Sequence, residues 1–458
     1  MGERRLGQGW TGSVSVLAFV LLATGPFAAS AAGSIAISPA AHTPDASPQT
    51  QISILGTAPS RIQSVRVRGE VSGPHAGRLE SYSGHRGASF ILDDPLTEGE
   101  KVDLAVRVDG HSPISYSFTV ARLGTTLPPL NLTQQQPEKL HHWVSRPELI
   151  PPLVAVTQSS PAAAHDGKLL MTPTPSPLVH PGGSITIHSV GPSGPMIADS
   201  RGRIVWFKQL PAPYVAGNLR VQRYRGRRVL TWWQGTVNAQ AFGTGEGVIA
   251  NHSYRTIKTV QAGNGYPTDI HEFSLMPNGD ALFTVYSPIM VHLPGNPPDQ
   301  LSPLMDSIVQ EVDIHTGLVT WKWHAYGHIP LDESFATPQN SAFYDAFHLN
   351  SIQPLAANRV LISARDTSAV YEVDRGSGKI LWKLGGQDSS FEMGPGAGFN
   401  LQHNAQMLGG GQIGMFDDEA GPPMFAPSSR GLILQLSKDG RKAKLVQSFQ
   451  RPVDTSAC

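Results

Sequence analysis

The chain has 458 residues, enough for more than one domain and for large hydrophobic cores. Its 35 lysine and arginine residues balance 35 aspartate and glutamate residues, which excludes an overall field that attracts nucleic acid or an anionic membrane. Its 47 glycines and 38 prolines, without any long helical periodicity, favour an all-β protein whose partner is a small molecule or another protein.

The amino terminus has the order of a secretory signal peptide. Arg4 and Arg5 precede an apolar run at 14–23, and the small residues A-S-A follow at 29–31. The run is shorter than the ~20 residues of a membrane span. We therefore predict a signal peptide over residues 1–32, a mature chain without a transmembrane segment, and a secreted, periplasmic or extracellular location.

Short alternating strands fill the next segment, at 51–55, 62–67, 88–92, 101–108 and 114–120. Such spacing predicts a small β-sandwich of immunoglobulin type over residues 33–122. Proline then recurs densely, which predicts an extended linker over residues 123–182.

Residues 183–458 contain a repeated hairpin with tryptophan near its end. The pattern E-V-D-x3-G-x3-W-K occurs at 311–322 and again at 372–383. A shorter version, D-x2-G-x3-W, occurs at 199–206, and Gly440 opens a fourth copy without the tryptophan. A strand, a glycine turn and a second strand are typical of the outer half of a β-propeller blade.

A second repeat alternates with the first and carries a histidine in three of its copies. His271, His348 and His403 begin these copies, and Asn218 stands at the same position in an earlier one. Equivalent positions of propeller blades converge near the central axis, so the three imidazoles are predicted to face one another. The alternative is that each histidine caps or packs within its own blade.

Hairpin pairing adds an arginine to this group. Antiparallel pairing across the turn at 356–357 sets Arg365 opposite His348, and the same count sets Phe416 or Asp417 opposite His403. Because a guanidinium offers a planar fork of donors, an arginine beside a histidine indicates an anion site. A structural ion pair of Arg365 with Asp366 or Asp345 is the alternative.

Five motifs, taken together and in this order, resemble the arylsulfotransferase family that does not use 3′-phosphoadenosine-5′-phosphosulfate. The resemblance covers about residues 181–452. The motifs are D-I-H-E-F (269–273), D-A-F-H-L-N-S-I (345–352), A-R-D-T-S-A-V-Y-E-V-D (364–374), W-K-L-G-G (382–386) and L-Q-H-N-A-Q (401–406).

The resemblance implies a six-bladed propeller that moves a sulfuryl group from an aryl sulfate to a phenol through a transiently sulfated histidine. It implies that His403 is the nucleophile and that His271 and His348 are the other catalytic histidines. Asn350 and Arg365 are implied to bind the sulfuryl group. The expected partners are therefore small aryl sulfates and phenols, and homo-oligomer formation stays open.

The chemistry of the residues agrees with this role. Sulfuryl transfer needs fixed donors around three oxygens, a neutral imidazole as nucleophile and a protonated group, His271 or His348, as acid. Three convergent histidines could instead bind a metal ion, but the neighbouring arginine argues against it, so we predict no metal and no cofactor. The alternative function is a non-catalytic secreted propeller that binds a ligand or protein.

The hairpins of the two repeats do not all pair up into blades. The hairpin near 185–208 lacks an inner partner, and the chain ends soon after Phe449. Two arrangements stay open: residues 147–187 supply the missing strands, or the propeller is incomplete at its carboxyl end and has exposed strand edges.

Overall fold

Short β-strands joined by turns make up nearly all of the regular structure, which confirms the predicted all-β class. The computed structural model describes residues 35–132, 143–152, 154–156, 167–174, 176–179, 185–188, 192–338, 343–419, 425–426 and 428–450. The predicted signal peptide therefore lies outside the described residues. Among these residues, no helix has the length and apolar character that a membrane crossing requires. The helical segments are single 3-10 turns at Pro59–Arg61, Ser83–His85 and Leu331–Glu333.

The amino-terminal strands form two four-stranded antiparallel sheets, with orders β1-β2-β6-β5 and β4-β3-β7-β8. Alternation along β7 buries Val102, Leu104, Val106 and Val108, and these side chains share one core with β2 of the other sheet. The predicted immunoglobulin-type topology and domain boundaries stay predictions. The strands are β1 (Ala36–Ser38), β2 (Ile52–Leu55), β3 (Ile62–Gly69), β4 (Gly73–His75), β5 (Gly77–Ser81), β6 (Gly87–Leu92), β7 (Lys101–Val108) and β8 (Ile114–Thr119).

The stretch predicted as a linker contributes strands of its own. Its first strand, β9, pairs antiparallel with β12, whose other neighbour is β13, while β10 and β11 form a separate hairpin. The hairpin near 185–208 therefore receives a partner from the residues before it. The strands are β9 (Lys168–Met171), β10 (Ser176–Val179), β11 (Ile185–His188), β12 (Met196–Asp199) and β13 (Ile204–Phe207).

Four successive antiparallel meanders follow in the described part of the chain. Their strand orders are β14-β15-β16-β17, β18-β19-β20-β21, β23-β24-β25-β26 and β28-β29-β30-β31, and the short strands β22 and β27 add parallel edges. The first two meanders contain β14 (Val215–Tyr224), β15 (Arg227–Val237), β16 (Gly243–Ala250), β17 (Thr256–Val260), β18 (Phe273–Leu275), β19 (Asp280–Val291), β20 (Ser302–Asp313) and β21 (Val319–His324). The remaining strands are β22 (Tyr344–Asp345), β23 (Leu349–Leu355), β24 (Arg359–Ala364), β25 (Ala369–Asp374), β26 (Ile380–Gly385), β27 (Glu392–Met393), β28 (His403–Gly409), β29 (Gln412–Asp417), β30 (Arg430–Leu436) and β31 (Lys442–Gln450).

The two tryptophan hairpins have the same register, as the sequence repeat predicts. Glu311 pairs with Trp321 and Glu372 with Trp382, and in both hairpins the register then shifts by one residue. Gly317 and Gly378 turn the two chains with positive φ angles of 79° and 72°, where a side chain would be strained.

Neighbouring meanders pack face to face because their middle strands are apolar on both sides. On β24, Val360 and Ile362 join the core shared with β19 and β20, whereas Leu361 joins the core shared with β29 and β30. Strand β24 therefore packs against the sheet before it with one face and against the sheet after it with the other. Blade number and ring closure stay predictions.

The amino-terminal sheets are fixed to the β18–β21 sheet by buried polar contacts. The hydroxyl of Tyr82 donates a hydrogen bond of 2.6 Å to the carbonyl of Val319. Arg86 binds both carboxylate oxygens of Asp280 at 2.7 and 2.6 Å and lies 3.3 Å from Asp313. Both of these aspartate side chains are fully buried.

Replacing Arg86 by alanine is expected to lower the free energy of unfolding by about 3 kcal/mol, because two buried carboxylates lose their counter-charge. Urea unfolding of the full chain measures this change as a lower midpoint. Arg78→Ala is the matched control, since its ion pair with Glu80 is exposed and contributes about 0–1 kcal/mol. Equal midpoints for the two variants would contradict the prediction.

Candidate active site

The predicted site residues lie at the ends of strands in three successive sheets. His271 lies two residues before β18, His348 directly before β23, and His403 is the first residue of β28. Arg365 follows β24, and its backbone N–H donates to the carbonyl of His348 at 2.9 Å. His403 pairs with Phe416. Both cross-strand pairings that hairpin counting predicts are therefore present.

Two of the three imidazoles are in direct contact. Nε2 of His271 lies 3.3 Å from Nε2 of His348, and the rings meet edge to face with centroids 4.9 Å apart. Their sequence separation is 77 residues, so the contact joins two sheets. The prediction that equivalent histidines converge is confirmed for this pair, and the alternative that each histidine packs only within its own sheet does not hold for it.

Asp269 fixes the ring and the charge of His271. Nδ1–H of His271 donates to Oδ1 of Asp269 at 2.6 Å, and the same oxygen accepts the backbone N–H of His271 at 2.9 Å. Burial alone would lower the pKa of His271, but the ion pair with Asp269 outweighs it and raises the pKa above its ordinary value. Of the three imidazoles, His271 is therefore the one that takes up a positive charge first as the pH falls.

His348 is held in its neutral form beside that charge. Burial, and then the positive charge on His271, lower the pKa of His348 to about 3. Its Nδ1 lies 2.6 Å from Oδ2 of Asp345, and burial raises the pKa of that carboxyl to about 7. With its proton on Nδ1, His348 presents Nε2 as the acceptor for the Nε2–H of His271.

His403 is also neutral, and among the described residues no hydrogen-bond donor contacts its Nε2. Nδ1 lies 3.0 Å from the carbonyl oxygen of Leu401, so Nδ1 must donate and Nε2 keeps its lone pair. Burial lowers the pKa of His403 to about 3, helped by the positive charges of His271 and Arg365. These electrostatic effects join His403 to the same group.

Arg365 makes the ion pair that the sequence left open as an alternative. One of its guanidinium nitrogens binds Oδ1 of Asp366 at 2.6 Å, and its side chain keeps 27% of its exposure. A guanidinium has five N–H donors, so this pair leaves donors for an anion. Asp366 therefore orients the fork and does not exclude anion binding.

Asn350 and Gln402 hold the segment that carries His403. Asn350 Nδ2 donates to the backbone carbonyl of Gln402 at 2.7 Å. The side chain of Gln402 donates in turn to the carbonyls of Ala364 and Ala369 at 3.1 and 3.0 Å. Asn350, which the resemblance assigns to substrate binding, is thus seen bracing the residue next to His403.

Asp417 does not orient His403. Its carboxylate accepts hydrogen bonds from Nε of Arg430 at 2.7 Å and from the backbone of Asn400 at 2.8 Å. The sequence did not predict the roles of Asp269 and Asp345 as partners of His271 and His348, or the role of Gln402 beside His403. The signal for all three is present, since each lies one to three residues before a site histidine in a recognised motif.

Aromatic side chains form an apolar wall behind the imidazoles. The ring of Phe242 lies 5.5 Å from that of His348 and 4.5 Å from that of Tyr286. Tyr286 packs against both His271 and His348, and its hydroxyl donates to the carbonyl of Leu349 at 2.5 Å. Such a wall excludes water, which strengthens the electrostatic interactions among the charged groups.

Asp345, His348 and Asp366 could in principle hold a cation, because one ligand atom from each lies within 4.8 Å of the others. Arg365 binds Asp366, and His348 donates to Asp345, so protein donors already occupy carboxylate oxygens of this set. The absence of a metal and a cofactor from this site stays a prediction.

The family model described as arylsulfotransferase (ASST) matches residues 220–457. This range includes the histidine group, which consists of His271, His348, Arg365 and His403. The chain belongs to the arylsulfotransferase (ASST) family. No curated protein matches this chain.

Among solved structures, a protein of unknown function from Bacteroides caccae is similar at 12% identity, with a TM-score of 0.37. The match covers 57% of this chain and 77% of that protein. Kluyveromyces lactis Hsv2 is similar at 8% identity over 58% of this chain and 95% of its own, with a TM-score of 0.23.

The substitution His348→Asn is expected to make the stability of the folded chain less sensitive to acid. The unfolded chain protonates His348 near pH 6.5, whereas the folded chain does not until about pH 3, so stability falls on acidification through this window. One such histidine contributes about 1.4 kcal/mol per pH unit.

Urea unfolding between pH 6 and pH 4 measures how steeply the free energy of unfolding changes with pH. In the variant this slope should be smaller by about 1.4 kcal/mol per pH unit, the contribution of one histidine. Asparagine suits the site because it tolerates the positive φ of 50° at this position. His42→Asn is the control, since His42 is exposed and also has a positive φ, of 64°. An unchanged slope in His348→Asn would show that His348 is not held neutral.

Proposed function

We propose that the chain is an exported arylsulfotransferase that moves a sulfuryl group from an aryl sulfate to a phenol through a sulfated His403. Membership of the arylsulfotransferase family supports the reaction class. Export rests on the predicted signal peptide at residues 1–32. The observation that carries the mechanism is the contact of 3.3 Å between Nε2 of His271 and Nε2 of His348, with His403 at the equivalent strand end of the next sheet.

The proposed fold is a propeller in which the successive meanders are blades. Support comes from their shared four-stranded order and from the cores that join each meander to the next. In such a fold the strand ends that carry His271, His348 and His403 surround the central axis. The six-bladed form implied by the resemblance is part of this proposal.

In the first step, Nε2 of His403 attacks the sulfur of the donor. The bond between sulfur and the aryl oxygen breaks, and the electron pair of that bond leaves with the oxygen. His271 gives its Nε2 proton to the departing phenolate, and the sulfuryl group stays on His403. A raised pKa keeps His271 protonated for this task, so His271, and not His348, is the proposed acid.

Arg365 stabilises the three sulfuryl oxygens in both steps. Its guanidinium lies at the same strand end as His348, and Asp366 holds its plane. Asn350 acts through the backbone of Gln402 and keeps the imidazole of His403 in line with the sulfur. His348 shares the Nε2 proton of His271 until a substrate oxygen replaces it as acceptor.

In the second step, a phenol occupies the position of the first product. Its oxygen attacks the sulfur of sulfated His403 while neutral His271 accepts the phenolic proton, and the bond between nitrogen and sulfur breaks. Both histidines return to their starting forms. Phenols suit this cycle because a phenolate is a weaker base than an alkoxide, and because Phe242 and Tyr286 give the site an apolar wall.

His403→Ala is expected to lower acceptor-dependent release of nitrophenol from p-nitrophenyl sulfate by about 10³-fold or more, because it removes the nucleophile. Donor alone should add one sulfuryl group to the intact mass of the wild-type chain and none to the variant. His252→Ala is the control, since His252 is exposed and lies outside the group. Release that ignores the acceptor or survives His403→Ala would contradict the ping-pong mechanism. Absence of both nitrophenol release and added mass in the wild-type chain would favour the alternative, a non-catalytic binding protein.

Asp269→Asn is expected to move the alkaline limb of the kcat/KM profile to lower pH. Asp269 raises the pKa of His271, so without that charge His271 loses its proton, and its function as acid, at lower pH. Rates measured across the pH range test this shift, with Asp388→Asn, an exposed aspartate, as the control. A variant with a uniformly lower rate and an unmoved limb would mean that Asp269 serves only to hold the loop.

A further inference from the structure

A second group of buried titratable side chains lies where the amino-terminal sheets meet the β18–β21 sheet. Asp45 precedes the bridge between Ala46 and Val120, Asp306 is on β20, and His324 ends β21. Their exposed fractions are 3%, 1% and 6%. Two carboxylates are thus buried together at the junction of two parts of the chain.

The three side chains converge on one point. Nδ1 of His324 lies 2.7 Å from Oδ2 of Asp306 and 3.1 Å from Oδ2 of Asp45. One ligand atom from each residue lies within 4.8 Å of the other two. A metal ion binds carboxylate oxygens and imidazole nitrogens at about 2.0–2.2 Å, so ligand atoms that share one ion also lie within a few ångströms of each other.

Protein groups satisfy this cluster only in part. Oδ1 of Asp306 accepts the backbone N–H of Tyr326 at 3.0 Å. Both oxygens of Asp45 and Nε2 of His324 are buried and have no hydrogen-bond partner of acceptable geometry among the described residues. A buried carboxylate with two unpartnered oxygens is costly, so it indicates an interaction that protein atoms do not supply.

We propose that Asp45, Asp306 and His324 bind a divalent transition-metal ion of the Zn²⁺ or Mn²⁺ class. The two carboxylates balance the charge of such an ion, and the imidazole selects it over Mg²⁺ and Ca²⁺, which prefer oxygen ligands alone. His324 must bind in its neutral form, through Nδ1, the nitrogen that faces both carboxylates.

Solvent reaches this site through a large cavity. Asp45 and His324 line a cavity of about 1020 Å³ together with Trp321 and Arg86. A three-ligand set beside a cavity leaves a coordination position for water, and it makes the ion removable by a chelator. The ion would also join the amino-terminal sheets to β20 and β21, so its binding should stabilise the folded chain.

One arrangement without an ion also balances the charge. Protonated His324 and the ammonium of Lys322, which acts electrostatically on Asp45 and Asp306, could neutralise the two carboxylates. This arrangement predicts no metal binding, so the two are separable by experiment. None of these residues belongs to the group around His403, and the inference does not depend on sulfuryl transfer.

The test is calorimetric titration of the chelator-treated full chain with Zn²⁺ and, separately, Mn²⁺. We expect one equivalent to bind and to raise the thermal unfolding midpoint. Asp45→Asn and His324→Ala should weaken binding by more than the about 10–100-fold that loss of an outer-sphere partner costs. His328→Ala, in the wall of the same cavity, and His348→Ala, in the other histidine group, should bind as the wild type does.

Absence of binding to the wild-type chain would overturn the inference, as would binding that survives in both ligand variants or disappears in His348→Ala. Should the ligand variants fail to fold, wild-type crystals soaked in Zn²⁺ decide the matter. An anomalous difference peak between Asp45, Asp306 and His324 would support the site, and its absence there would refute it.

Discussion

The hydrogen bond of 2.6 Å between buried Asp269 and His271 decides where the positive charge of the histidine group lies. Because His271 takes that charge, a second imidazolium within 3.3 Å is unfavourable, and His348 stays neutral. The same charge, with burial, keeps the lone pair of His403 available. One ion pair thus separates three chemically equivalent side chains into an acid and two neutral bases, which is the division of labour that a two-step group transfer requires.

The precision of this group depends on contacts that cross from sheet to sheet. Asn350 and Gln402 tie the His403 segment to the strands on either side of Arg365, and their hydrogen bonds are buried. In the same way, Trp321 Nε1 donates to the carbonyl of Arg375 at 2.9 Å at the edge of the next sheet. Since separate meanders supply the reacting side chains, their relative positions depend on these contacts and on the apolar faces of strands such as β24.

Much of the arrangement could be predicted from the sequence, because strand pairing follows from counting. The pairing of His348 with Arg365 needed only the position of a turn, and the tryptophan repeat fixed the register of two hairpins. The carboxylate partners could not be predicted in this way, because Asp269 lies in a loop and Asp345 ends a strand of only two residues, so no strand period gives their positions. The sequence left open whether residues 147–187 supply strands, because β9 is four residues long and lies in a proline-rich stretch, where its partner β12 decides its conformation.

Strand β20 connects the two buried polar groups. Successive side chains of a strand point to opposite faces, so Met305 packs with Phe242, Tyr286 and Phe343 behind the imidazoles, while Asp306 contacts His324 on the other side. Adjacent residues of one strand therefore face the junction with the amino-terminal sheets and the wall of the histidine group. Because β20 also pairs along its whole length with β19, it cannot shift without moving Tyr286, which packs against both His271 and His348. The amino-terminal sheets thus support the geometry of a site to which they contribute no side chain of the histidine group.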